Sequence, residues 1–243
     1  MTKSPAFAPR LLSSRAESPD VRTFRFASPP GFAFVPGQFL LLHFEDDPRT
    51  WRAYSLCSPP ARAAEWFELT VGTVGAFSAR LGALRPGAES GLAARGPFGR
   101  WTYDGSPARA VLVSGGTGLA PFRAMIAHAL DRGAAARLAL RASARTPSRL
   151  LYRAEYDAWR RAGVDVRATI TRPGELGLGE RWDGETGRWT SERVLAAGGP
   201  GAVYYLCGPA GLVNGLGAGL RAAGVPAERV RSEAWGDYAD QLT

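Results

Sequence analysis

The sequence predicts a two-domain β + α/β chain. An antiparallel six-stranded β-barrel over residues 1–104 is followed by a parallel-sheet α/β domain over residues 105–243. Three observations carry this prediction. At 243 residues the chain is long enough to hold two separate cores. Up to about residue 103 it reads as short strands rich in β-branched and aromatic residues, punctuated by Pro/Gly turns. From Tyr103-Asp-Gly-Ser-Pro107 onward, apolar strand runs alternate with helical stretches, the pattern of a parallel sheet covered on both faces.

The barrel elements follow in order. Leu11–Glu17 and Val21–Ala27 form a hairpin about Ser18-Pro-Asp20, and Pro29-Pro-Gly31 then breaks the chain. A turn at Pro36-Gly37 leads into Gln38–Phe44, apolar enough for a buried strand. Arg52–Cys57 is the next strand, ended by Ser58-Pro-Pro60, and Trp66–Val74 follows. Gly75-Ala-Phe-Ser-Ala-Arg-Leu81 interrupts the pattern with a short helix that covers one end of the barrel. Its first backbone N–H groups suit an anion, and Ser78 can donate one more hydrogen bond. Arg85-Pro-Gly87 turns the chain into a last strand running to Arg95, and Gly96-Pro-Phe-Gly99 reads as a tight turn out of the barrel.

In the second domain Ala108–Ser114 is a continuous apolar strand that runs straight into Gly115-Gly-Thr-Gly118. Leu119–Leu130 is helical and stops at Asp131-Arg-Gly133. Strands recur at Arg137–Ala142, Val164–Thr171 and Val203–Cys207, with helices at about 149–161, 190–197 and 210–223. Ligands bind such sheets at the carboxyl ends of the strands, where Gly115–Gly118 and Cys207-Gly-Pro209 lie. The glycine loop lacks the Gly-Lys-Ser/Thr of an ATP-hydrolysing loop and is not the full dinucleotide fingerprint. Its glycines let a pyrophosphate approach the backbone and Thr117 adds a hydroxyl; a structural turn is the alternative.

Composition narrows the function. A chain 45% hydrophobic and 21% charged is an ordinary globular protein, and no apolar run approaches a membrane span. The start Met1-Thr-Lys-Ser-Pro-Ala lacks a charged segment followed by an apolar one, so no secretion signal is expected. Two cysteines, Cys57 and Cys207, with no CxxC partner, and only two histidines argue against a zinc site or a cysteine-ligated iron–sulfur cluster. A reducing, cytoplasmic setting without metal is the expectation. The formal charge is +8, with Lys3 the only lysine. No nucleic-acid motif accompanies that charge, whereas an acidic protein partner fits its sign.

Arg52-Ala-Tyr-Ser55 is the stretch with the most chemistry. In a strand Arg52 and Tyr54 share one face and Ser55 takes the other. A cation beside a flat ring suits a phosphate and an aromatic group together; an edge strand with an exposed arginine is the alternative. Cys207 and Cys57 read locally as small buried hydrophobes.

Arg52-Ala-Tyr-Ser55, Gly75-Ala-Phe-Ser78, Gly115-Gly-Thr-Gly-Leu-Ala-Pro121, Cys207-Gly-Pro209 and Glu233-Ala-Trp235 together resemble the ferredoxin–NADP reductase superfamily in order and spacing, over residues 8 to 235. The resemblance implies an antiparallel flavin-binding barrel followed by a nicotinamide-nucleotide-binding α/β domain. Arg52 would pair with the flavin phosphate, Tyr54 would pack on the isoalloxazine ring, and Ser55 would hydrogen-bond near the flavin N5, which accepts hydride. Gly75, Ala76 and Ser78 would hold the pyrophosphate, with Ala53 and Phe77 counted in the same site. That stretch favours FAD over FMN. Gly116, Thr117 and Gly118 would face the nicotinamide nucleotide. Cys207, followed by Gly208 and Pro209, would lie near the nicotinamide C4, and Glu233 near the reaction centre.

Trp235 matches the aromatic that shields the flavin. Eight residues follow it here, which makes Tyr238 a second stacking candidate. Thr171-Arg172 fits the place that meets the 2′-phosphate of NADP(H), with Arg145 and Arg149 as further candidates and NAD(H) as the alternative cofactor. The function so implied is a reductase passing electrons between NADPH, FAD and a separate acidic one-electron carrier, a ferredoxin or flavodoxin. The alternatives are an NADH-dependent reductase component of an oxygenase system and a non-catalytic flavin electron-transfer subunit. A monomer with no nucleic-acid and no membrane partner is expected.

Overall fold

The structure, a computed structural model, describes residues 6–88 and 90–235, Trp235 by its backbone alone. Among these, the residues up to Asp104 form one compact unit together with Ala120–His128, and the remainder form a second.

The first unit contains β1 (Leu11–Ser18), β2 (Val21–Ala27), β3 (Phe39–Phe44), β4 (Asp47–Ser55), β5 (Trp66–Gly72), helix α1 (Ala76–Gly82) and β6 (Leu92–Phe98). The six strands make two three-stranded antiparallel sheets, ordered β1-β2-β5 and β4-β3-β6, with a bridge between Leu56 and Leu69 joining them. Strand alternation builds the core: Phe24 and Phe26 of β2, Leu40, Leu42 and Phe44 of β3, and Phe67 and Leu69 of β5 all turn inward. The rings of Phe26 and Phe67 stack with centroids 5.4 Å apart.

Two sequence expectations change here. β4 begins at Asp47 rather than Arg52, because Phe44 and Asp47 already pair across a tight turn and Pro48 is tolerated on an edge strand. Gly96-Pro-Phe98 is not a turn but the end of β6, where Phe98 pairs with Phe39. A Cβ at Gly96 would meet the Leu40 side chain at 2.9 Å and the Phe39 carbonyl at 3.0 Å, so glycine is required for close approach of two strands rather than for a reversal.

The second unit carries β7 (Ala110–Gly115), α2 (Leu119–Asp131), β8 (Leu138–Ala144), α3 (Tyr156–Arg161), β9 (Asp165–Ile170), β10 (Glu185–Thr186), α4 (Ser191–Leu195), β11 (Val203–Pro209), α5 (Ala210–Ala222) and β12 (Val230–Trp235), residues 120–128 of α2 belonging to the first. The strands form one parallel sheet in the order β10-β9-β8-β7-β11-β12. Every residue of β7 and β8 is buried, as expected for central parallel strands covered on both faces. The helix anticipated over 149–161 is cut to α3, because Tyr152 adopts a left-handed φ of 53° between two short 3-10 turns. The two-residue β10 is too short to show any period in sequence. No helix among the described residues is long and apolar enough to cross a membrane.

Candidate functional site

Within the first unit, Arg52 and Tyr54 lie opposite Leu42 and Leu40 of β3, while Ser55 pairs with Phe39, so the face division expected from alternation holds. Tyr54 packs on the barrel core and stacks against Phe77 of α1, with centroids 6.2 Å apart and planes 27° from parallel. Burial pushes its phenol up to about 12, against a smaller opposing pull from Arg52. Tyr54 is therefore a neutral aromatic plate at any working pH. Arg52 is exposed and donates to its neighbour's carbonyl, Trp51 O, at 2.8 Å.

Arg52, Tyr54 and Gly75–Ser78, more than twenty residues apart in sequence, line one cavity of about 530 Å³. Ser78 is turned into its own loop: its Oγ accepts from Val74 N at 2.9 Å and Gly75 N at 3.1 Å and donates to Gly75 O at 3.0 Å. It shapes the loop instead of offering its own proton. The first helical bond is Ala79 N to Gly75 O, which leaves the N–H groups of Ala76, Phe77 and Ser78 without intrahelical acceptors. A guanidinium, an aromatic plate and the opening N–H groups of a helix around one cavity fit a nucleotide that joins a phosphate to an aromatic ring.

The same cavity includes residues that sequence reasoning missed. Arg80 reaches it while forming a two-pronged pair with Asp46, at 2.7 and 2.8 Å, and lies 3.9 Å over the Phe44 ring. The available signal was helical spacing, since Arg80 sits one turn after Phe77.

In the second unit the strand order reverses between β7 and β11, so the loops after these two strands flank the switch point where α/β sheets take ligands. Gly116–Gly118 follows β7 as a 3-10 turn, with Gly116 at φ 56° and exposed and Thr117 half-buried. Cys207-Gly-Pro209 ends β11. The two loops touch: a Cβ at Gly208 would lie 3.1 Å from Gly115 N, and one at Gly115 would lie 3.1 Å from the Pro209 ring. A side chain at either position would crowd this approach, most at Gly208, where φ is 156° and the nearest atom is backbone.

Cys207 is buried and pairs in register with Ser114 of β7 and Glu233 of β12. Burial, then the nearby Glu233 carboxylate, pushes its thiol well up, so it is a neutral thiol and not a nucleophile. Glu233 Oε2 is shut off from solvent without a hydrogen-bond partner among the described residues, and burial raises its carboxyl to about 7. Trp235 lies on β12 opposite Pro209; Tyr238 falls outside the described residues. Thr171 and Arg172 follow β9 and bond back to the end of β8, Thr171 N to Ala144 O and Arg172 N to Arg145 O. Arg172 is engaged by Glu175 at 2.8 Å, while Arg145 is exposed beside it.

Residues 9–103 match the family described as the oxidoreductase FAD-binding domain, and residues 112–217 the oxidoreductase NAD-binding domain. Ferredoxin–NADP reductase B of Sorangium cellulosum is 35% identical over 96% of this chain and 99% of its own length. A glycine betaine monooxygenase reductase subunit of Pseudomonas aeruginosa is 32% identical over 90% of this chain, which spans 62% of that relative. Among solved structures, a ferredoxin NADP+ reductase from Neisseria gonorrhoeae with bound FAD and NADP superposes with a TM-score of 0.77. It is 20% identical, and the match covers 95% of this chain and 97% of that one.

Proposed function

We propose, from the premise that the chain belongs to the ferredoxin–NADP reductase superfamily, that it is an NADPH-dependent FAD reductase delivering electrons to a separate acidic carrier of the ferredoxin or flavodoxin type. The observation that carries this reading is the single cavity joining Arg52 and Tyr54 to Gly75–Ser78. FAD, when bound, supplies the exchange between two-electron and one-electron chemistry. Arg52 anchors its phosphate, the opening N–H groups of α1 its pyrophosphate, and Tyr54 its ring, with Ala53 and Phe77 shaping the wall. Ser55 is on the opposite face of the same strand and is not among the residues lining that cavity; its hydroxyl is assigned to the N5 edge of the ring. Gly116, Thr117 and Gly118 with Gly208 and Pro209 receive the nicotinamide nucleotide, and Cys207 packs as a neutral thiol beside Glu233. Thr171 and Arg172 with Arg145 receive the 2′-phosphate; two guanidiniums at adjacent strand ends favour NADPH over NADH.

Purified protein is expected to be yellow and to be reduced anaerobically by NADPH at lower concentrations than by NADH, a preference that Arg145→Ala narrows. Delivery to an acidic ferredoxin should then slow as salt rises, because the chain's +8 charge is screened. Equal response to both nucleotides would favour the oxygenase-component reading.

Glu233 adds a pH signature. With its carboxyl at about 7, the neutral form dominates below neutrality and holds a proton beside Cys207. The reduction rate should fall as pH rises through about 7, and Glu233→Gln, neutral throughout, should flatten that limb. Folding shows the same sign. The folded state retains a proton that the unfolded state loses above its ordinary value of 4.5, so stability declines between that pH and about 7. An unchanged pH profile in Glu233→Gln would remove this residue from the reaction.

A further inference from the structure

We infer that Arg123 is a positioning residue for Ser55, acting through the backbone of Leu56–Ser58; this rests on the reading of Ser55 given above. β4 ends at Ser55, and the next three residues, Leu56, Cys57 and Ser58, are each 0% exposed. Backbone groups buried just past a strand end have lost their ladder partners and need others. Leu56 N donates to Gln38 O at 2.9 Å and Cys57 N to Glu68 O at 3.0 Å. The Cys57 carbonyl accepts from Arg123 Nη1 at 3.1 Å.

Arg123 is itself fixed. The same Nη1 donates to Glu68 Oε2 at 2.6 Å, and Glu68 is wholly buried and also held by Arg15 at 2.8 Å and by Arg25 at 2.9 and 3.0 Å. Glu68 N accepts no freedom either, donating to Ser58 Oγ at 3.1 Å. Arg123 comes from residues 120–128 of α2, which belong with the barrel. One guanidinium therefore helps set the exit angle of the chain directly after Ser55, from outside the residues that line the cavity.

A hydroxyl acting on a bound ring depends on sub-ångström placement, and small displacements cost rate out of proportion to stability. Removing the arginine should loosen 55–58 and blunt whatever Ser55 contributes. It should leave the phosphate contacts of Arg52 and the N–H groups of α1 intact, so FAD affinity stays within about twofold.

The test is a double-mutant cycle with a structural readout. Ser55→Ala, Arg123→Gln and the double variant are compared for the rate of anaerobic flavin reduction by NADPH. Amide hydrogen exchange across residues 55–58 is followed in the same proteins with and without FAD. The expected result is roughly a tenfold or greater slowing for each single variant, and a double variant no slower than Ser55→Ala alone. Exchange at 56–58 should rise in Arg123→Gln. Arg123→Lys, which keeps a cation beside Glu68, is run through the same cycle in case the glutamine variant folds poorly. It should recover part of both readouts. Additive effects of Arg123 and Ser55, or unchanged exchange, overturn the inference and leave the reading of Ser55 standing. A Ser55→Ala variant as fast as the parent removes the reading of Ser55 and the inference with it.

Discussion

Arg52→Ala is expected to fold normally and to lose its FAD on purification. The side chain projects from edge strand β4 into the cavity, is exposed, bonds to its neighbour's carbonyl and lies 6.0 Å over the Phe77 ring, so its removal opens no hole in the core. Surface truncations of this kind change stability by about 0.5 kcal/mol or less. Binding is another matter. A guanidinium–phosphate pair combines charge with two parallel hydrogen bonds, and bonds to charged groups contribute about 1.5–3 kcal/mol each. Affinity for FAD should therefore fall by roughly 100-fold or more. Arg52→Lys keeps the charge without the fork and should fall between the two. The flavin-to-protein absorbance ratio, fluorescence titration with FAD and thermal unfolding of flavin-free protein measure the three quantities. A variant that retains FAD with unchanged affinity would move the phosphate to Arg80, the other guanidinium bordering the cavity.

What the sequence disclosed follows from the range of each signal. Period-two alternation put Arg52 and Tyr54 on one face and Ser55 on the other, and the register with β3 agrees. Gly115 and Gly208 stood out as parts of strand-end motifs, but the approach of their two loops, 3.1 Å from an added Cβ, joins segments too far apart in sequence to leave a local pattern. The strand-to-helix alternation gave the parallel sheet, but not β10, whose two residues have no period. Glu68 was invisible as a site. In Trp66-Phe-Glu-Leu-Thr-Val71 it occupies a polar position of an alternating strand, which reads as solvent-facing. Arg15, Arg25 and Arg123, from three elements, enclose it instead, and no local pattern encodes that meeting. The same holds for Asp46 and Arg80, 34 residues apart, and for Ser78, whose hydroxyl is spent on its own loop.

Glu68→Ala should destabilise the first unit as strongly as truncating one of its buried core residues. Burial alone would push its carboxyl up. The hydrogen bond from Arg15 and the charges of Arg123 and Arg15 outweigh that, and it sits below its ordinary 4.5. Deleting it removes the carboxylate that three guanidiniums share, leaving Arg15 with Glu17 and loosening the hold on the Arg123 that bonds the Cys57 carbonyl. Removing one partner of a buried ion pair typically costs about 3–5 kcal/mol, and the retained Arg15–Glu17 pair places this change toward the lower end. For a chain of this size that corresponds to a fall in Tm of roughly 10 °C.

Glu68→Gln keeps an acceptor but not the charge and should lie between. The pH dependence supplies an independent check. A carboxyl whose pKa is depressed on folding stabilises above its unfolded value of 4.5, and the contribution is lost as pH falls through the folded value. Flavin-free parent protein should therefore lose stability on acidification below 4.5. Glu68→Gln, already without the charge, should show a shallower acid limb from a lower plateau. Parallel acid limbs in parent and variant would mean that the arginine cluster is held together by packing and not by this carboxylate.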